Sequence, residues 1–216
     1  SSDEVKQLIE LGFWPGGDRD GNPNVTVEST KKVATMLRTI LFRCYYRDFR
    51  VVKRRITFRG VEQYLDNLQE LLYNNSFNPI ENPVDETNRI LENLNNIKDV
   101  LNNYHNGLFV ELVEDLIRKV NTFGCFFTTL DIRQDSSILR NTVSYLVENF
   151  DAKTGLKIED LNASEEHKQK SFKFNQEEFD FSEEAEPLVQ DTLGVIRLLK
   201  DIQASGSERA AQRFII

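Results

Sequence analysis

At 216 residues, with 39% hydrophobic and 29% charged side chains, the chain has the make-up of a globular protein with enough material for a substantial core. Its formal net charge of −8 argues against a nucleic-acid partner, which would need a basic face to neutralise phosphates. No apolar run is long enough for a membrane helix, and Ser1-Ser2-Asp3-Glu4 lacks the basic and apolar regions of a secretory signal.

In chain order, residues 5–14 read as a short helix running into an extended stretch. Residues 16–23 are dense in Gly, Asp, Asn and Pro, which cannot hold a regular helix and predict a structured loop. A helix follows, capped by Thr26, with Glu28 at the positive end of its dipole and a predicted buried stripe of Val33, Met36, Leu37, Ile40, Leu41 and Cys44. Its far end carries the basic run Arg47, Arg50, Lys53, Arg54, Arg55 and Arg59, a solvated helix end or else an anion or partner site.

Further helices are predicted over 61–72, 84–104 and 108–120, with stripes Tyr64, Leu65, Leu68, Leu72, then Ile90, Leu94, Ile97, Leu101, then Leu108, Leu112, Leu116, Val120. At Phe123-Gly124 the period changes, and the β-branched and aromatic residues 126–132 predict a buried strand. A helix with Ile138, Leu139, Val143, Leu146 and Val147 comes next. Residues 151–185 are rich in charge and poor in branched apolar residues, and read as a polar surface excursion. A last long helix over 185–202 leads through a short helical stretch into Arg213-Phe214-Ile215-Ile216, which reads as a strand cut in its middle.

Cys44 and Cys125 sit in apolar contexts and read as buried structural thiols of a cytosolic protein; with two histidines there is no zinc spacing. Residues 16–23 are either a turn held by Asp18 and Asn22 or a loop where glycine lets the backbone approach a ligand. A calcium loop fails because Pro23 and Ser29 stand where glycine and glutamate are needed, and no Gly-Lys-Ser/Thr completes a P-loop. At the end of the predicted strand, Asp131-Ile132-Arg133-Gln134-Asp135 is either a structural Arg–Asp pair or an anion-binding fork with Asp131 and Asp135 positioning Arg133.

Taken together, Trp14-Pro15-Gly16-Gly17-Asp18-Arg19-Asp20-Gly21-Asn22-Pro23-Asn24-Val25-Thr26 and Leu130-Asp131-Ile132-Arg133-Gln134-Asp135-Ser136 resemble two motifs of the phosphoenolpyruvate carboxylases, in the family's order. Arg213-Phe214-Ile215-Ile216 resembles the start of a third family strand. The sequence departs from that pattern at Pro15, at Asp135 where the family has Glu, and at Ser137-Ile138-Leu139-Arg140, which lacks the usual Arg-His pair. These departures mark a divergent branch.

The resemblance implies a mainly α segment, with about three short β-strands, that forms one partial domain (residues 1–216) of a (β/α)8 barrel. It implies an anaplerotic lyase that carboxylates phosphoenolpyruvate with bicarbonate to oxaloacetate and phosphate, through carboxyphosphate and an enolate. Arg133 matches a phosphoenolpyruvate-binding arginine, and Arg19, Asp18, Asp20, Asn22 and Gln134 belong to the matching loop and strand end. The Mg²⁺ or Mn²⁺ of the family, its ligands and its catalytic groups are expected on later strands beyond Ile216, and His105 and His167 match no motif. The isolated segment is expected to be inactive, to self-associate through its cut edges, and to come from a cytoplasmic tetramer. The alternatives are a non-enzymatic helical scaffold or binding module derived from the enzyme and, behind it, a different phosphate-handling lyase on the same barrel.

Overall fold

The computed structural model describes residues 11–78, 80, 83–154 and 186–216. The chain runs β1 (Gly12–Phe13), α1 (Val27–Arg55), α2 (Glu62–Phe77), α3 (Thr87–Tyr104), α4 (Val110–Phe123), β2 (Thr129–Arg133), α5 (Ser136–Thr154), α6 (Pro187–Gly206), a 3₁₀ turn (Glu208–Ala211) and β3 (Arg213–Ile215). It is mainly helical, with three parallel strands in the order β1-β2-β3. The first part of the expected N-terminal helix lies outside the described residues; Gly12 and Phe13 are strand. Most of the polar excursion also lies outside them, and α5 extends through Thr154 into its expected start.

Thr26 caps α1 through a capping box with Ser29, each side chain accepting the other's backbone N–H. At its far end Lys53, Arg54 and Arg55 complement the negative pole of the dipole. The buried face differs from the expected stripe: Met36 and Ile40 are 52% and 46% exposed, Cys44 is half-buried, and Leu41, Phe42, Tyr45, Phe49 and Val52 are buried. The apolar arc of α1 is wider than the core it meets, and the side bearing the rings wins because aromatic side chains remove the most area from water.

Leu65, Leu68, Leu71 and Leu72 of α2, Ile90, Leu94, Ile97 and Leu101 of α3, and Val113, Leu116 and Val120 of α4 close on that face as one core. The stripe of α3 is the expected one, each of its four residues 0% exposed. In α4 the stripe begins later. Gly107 and Phe109 take positive φ (68° and 62°), which turns the chain sharply, leaves Leu108 51% exposed and starts the helix at Val110.

A second core joins Leu130 and Ile132 of β2 to Val195, Leu198 and Ile202 of α6 and to Ala210 and Ala211, with Val27, Val33 and Ala34 of α1 packed on it. The long α1 therefore serves both cores, one with each half. β2 starts later than expected because Phe127 adopts φ 72° and cannot extend the strand, so its ring is partly exposed. Pairing is Gly12↔Thr129 and Phe13↔Leu130 on one side of β2, and Asp131↔Arg213, Ile132↔Phe214 and Arg133↔Ile215 on the other. Leu130 and Ile132 face the helices, so the period of two places Thr129, Asp131 and Arg133 on the opposite face.

The seam between the cores is polar. Arg38, 8% exposed, lies over the Phe42 ring and donates to the carbonyls of Ser205, Cys125 (3.4 Å) and Val84 (2.9 Å) and to Asn75 Oδ1 (2.8 Å). Burial lowers its pKa despite the nearby Cys125, Asp85 and Glu86. Cys125 is buried and its thiol is pushed up to about 11 by desolvation. No helix among the described residues is long and apolar enough to cross a membrane.

Candidate functional site

The site is built where the 16–23 loop meets the carboxyl end of β2. The Trp14 carbonyl accepts the amides of Gly17 (2.9 Å) and Asp18 (3.2 Å), and Gly16 turns at φ 79°. Gly17 lies against β2 so closely that a Cβ there would sit 2.0 Å from the Asp131 carbonyl oxygen, and only glycine fits. Arg133 N–H donates to Gly17 O (2.9 Å) and Arg19 N–H to Arg133 O (2.8 Å), so the loop joins the sheet by a parallel bridge between Asp18 and Arg133. Thr30 Oγ1–H ties Gly16 O to α1 at 2.6 Å.

This register turns Arg19 one way and its two neighbours the other. Asp20 meets Arg133 Nη2 at 2.7 Å and Asp18 lies 3.8 Å from Nη1. These side chains are 41% (Arg133), 38% (Asp18) and 34% (Asp20) exposed, so the cluster is open to solvent and a ligand can reach the guanidinium. The Trp14 ring, itself 48% exposed, lies 6.0 Å from the Arg133 Cζ. Arg19 is buried. Its Nε–H donates to Gln134 Oε1 at 2.9 Å, and its Nη2 pairs with the Asp191 carboxylate. The backbone N–H of Gln134 donates to Ile215 O (3.0 Å), which ties this strand end to β3.

The residues singled out in sequence thus divide into three groups. Asp18, Asp20 and Arg133 form the open cluster. Arg19 and Gln134 form a buried clamp beneath it. Asn22 is exposed and closes the loop locally, its Oδ1 accepting the Asn24 amide at 3.1 Å.

The expected positioning of Arg133 by Asp131 and Asp135 is corrected. Asp131 is buried and faces Arg213, with 3.6 Å between Oδ1 and Nη1. It stands on the same side of β2 as Arg133, but its Oδ2 lies where a Gly12 Cβ would be, toward the β1 side and away from the strand end. Asp135 caps α5, accepting the Ser137 amide at 2.6 Å, and the hydroxyl and amide of Ser137 hold its carboxyl below the usual range. Sequence reasoning missed Asp191 and Arg213, which reach the site from far along the chain, and passed over Trp14, which the Gly-Gly turn beside it could have flagged.

The basic run lies at the opposite end of α1. Lys53 there meets Asp66 (2.8 Å) and Gln69 (2.6 Å), and Arg47 meets Asp48 (3.2 Å). His105 stacks on Phe58 with 4.7 Å between ring centres and bonds the Arg59 carbonyl at 3.0 Å, an ordinary packing role. His167 lies outside the described residues. Among the described residues no group of three or more His, Cys, Asp or Glu side chains is placed to hold a metal ion.

Compared with known proteins, the chain matches the family model of phosphoenolpyruvate carboxylase over residues 1–81 and 48–216. It is 27% identical over 191 residues to the phosphoenolpyruvate carboxylase of Pseudomonas aeruginosa, covering 72% of this chain and 22% of that protein. It is 28% identical over 192 residues to that of Psychromonas ingrahamii, covering 76% and 21%. A stretch of 42 residues is 48% identical to phosphoenolpyruvate carboxylase 1 of Chlamydomonas reinhardtii, covering 19% and 4%. The chain therefore spans about a fifth of the length of the first two relatives.

Proposed function

Since this chain belongs to the phosphoenolpyruvate carboxylase family, we propose that it is a segment of an enzyme that carboxylates phosphoenolpyruvate with bicarbonate to give oxaloacetate and phosphate. In this reading β1, β2 and β3 are consecutive strands of a (β/α)8 barrel, whose carboxyl ends line the active site. Arg133 binds the phosphate of phosphoenolpyruvate, with the 16–23 loop forming the wall beside it.

One observation carries the reading. Of the two arginines in the motifs, Arg19 is buried and committed, while Arg133 stands at the end of the central parallel strand with its planar fork 41% exposed. Asp20 orients that fork from one side, and the phosphate binds its exposed part. The divalent ion of the family does not fit the Asp18 and Asp20 carboxylates, because both are turned to Arg133. Its ligands belong to other strands of the enzyme. The segment alone is inactive, and the parent enzyme is a cytoplasmic tetramer.

The test is oxaloacetate formation from bicarbonate and phosphoenolpyruvate with Mg²⁺. Arg133→Gln in the full-length enzyme is expected to lower kcat/KM by about a hundredfold or more, the scale for removing one charge-stabilising donor. Full turnover by the 216-residue segment, or an unaffected Arg133→Gln enzyme, would overturn the reading. One observation favours the alternative of a non-enzymatic module: two carboxylates face one guanidinium, which leaves the cluster net negative. A full-length protein that neither binds nor turns over phosphoenolpyruvate decides for it.

A further inference from the structure

Asp191 on α6 belongs to neither motif, yet separate parts of the site end on it. Its Oδ1 accepts the amide of Val27, the first residue of α1, at 3.3 Å, and its Oδ2 takes Arg19 Nη2. The Arg19 side chain is 5% exposed, and a guanidinium so buried is strongly disfavoured without an opposite charge. Asp191 is the carboxylate that meets it among the described residues. Arg19 also carries the loop's position, because its backbone N–H bonds the Arg133 carbonyl and its neighbours Asp18 and Asp20 hold the Arg133 side chain. If Arg19 is released, the alternation that turns Asp18 and Asp20 outward loses its inward anchor. Gln134, whose Oε1 accepts Arg19 Nε–H, loses its fixed rotamer at the same time.

We propose that Asp191 is a positioning residue for substrate binding: by pinning Arg19 it sets the loop carboxylates and, through them, the orientation of the Arg133 fork. This rests on the reading of Arg133 as the phosphate-binding arginine. The role is to place a group that binds substrate and not to touch substrate itself, so its loss weakens binding more than turnover.

The test is steady-state kinetics of the full-length enzyme carrying Asp191→Asn, Asp191→Glu or Arg133→Gln, with melting temperatures measured alongside. Asp191→Asn is expected to raise the KM for phosphoenolpyruvate about tenfold, with kcat within about threefold and the KM for bicarbonate within about twofold. Asp191→Glu, which keeps the charge, is expected to recover most of that loss. If Asp191→Asn lowers the melting temperature and the maximal rate with an unchanged KM for phosphoenolpyruvate, its role is structural and the proposal is overturned, while the reading of Arg133 stands. If Arg133→Gln leaves that KM unchanged, the phosphate reading fails and the positioning role falls with it. Should Asp191→Asn fail to fold, Arg19→Gln decides: it removes the charge that Asp191 holds and leaves the part-exposed Asp191 carboxylate to water. The same KM shift in Arg19→Gln supports the proposal, and an unchanged KM overturns it.

Discussion

The two halves of α1 belong to regions built on different principles. Its carboxyl-terminal half packs with α2, α3 and α4 through Leu, Ile, Val and aromatic side chains at helical spacing. Its amino-terminal half meets the sheet and α6, where buried polar groups share the interior with apolar ones: Arg19, Thr30, Arg38, Asp131, Gln134 and Thr192 are all buried. The first region is held by non-directional burial, which tolerates changes of shape if volume is kept. The second is held by directional bonds whose partners cannot be exchanged, because a buried donor or acceptor left alone costs about 1–3 kcal/mol. A site that must fix a guanidinium in one orientation needs the second kind of construction.

The sharpest way to break this contrast is Arg38→Ala. It takes the donor from the buried Cys125 carbonyl and from the part-buried Ser205 and Val84 carbonyls and Asn75 Oδ1 at the seam between the cores. At about 1–3 kcal/mol per orphaned acceptor, offset in part by water entering the cavity, a loss of about 3–6 kcal/mol is expected in urea denaturation. Arg38→Lys is expected to recover little, since one ammonium cannot follow the planar fork to acceptors on separate segments.

Ile97→Ala in α3 comes next. Ile97 is 0% exposed, and its truncation is expected to cost about 2–5 kcal/mol by transfer and cavity terms. Here the conservative variant should behave in the opposite way: Ile97→Val is expected to cost only about 0.5–1.5 kcal/mol. If Arg38→Lys were as mild as Ile97→Val, the distinction between the two regions would fail.

The same contrast explains what could be read from the sequence. The α3 stripe Ile90, Leu94, Ile97, Leu101 is a local pattern, complete within one helix, and the structure buries all four residues. Thr26 as a cap is local as well, and the structure shows the capping box. The motif loop and the Arg133 strand end were legible because glycine and charge are concentrated in a few adjacent residues. The clamp was not legible. Arg19 and Asp191 are 172 residues apart and Arg38 and Ser205 are 167 apart, so no window of sequence contains both members of either pair. The misassigned partners of Arg133 have a related cause. Asp131 and Asp135 are close in sequence, but strand alternation and helix capping give each a different task. Met36 and Ile40 fit helical spacing as well as Leu37 and Leu41, and only the placement of neighbouring helices decides which side of α1 is covered.

Thr26→Ala lies in the second region, where this cap fixes the start of α1 beside the loop. Replacing a capping threonine by alanine typically costs about 1 kcal/mol, and that loss is expected in the same denaturation measurement.

The smallest effect is expected at the far end of α1, where the basic run offered an anion site as its second reading. Lys53 meets Asp66 at 2.8 Å, but Asp66 is 73% exposed and Lys53 33%, so solvent and salt screen the pair. Lys53→Ala is expected to change stability by less than about 0.5 kcal/mol, with the difference shrinking further in 0.5 M salt. A larger, salt-resistant loss would mean that a region read as apolar and non-directional also depends on a specific polar pair. The contrast between the two halves of α1 would then have to be drawn within each helix, between its buried stripe and its rim.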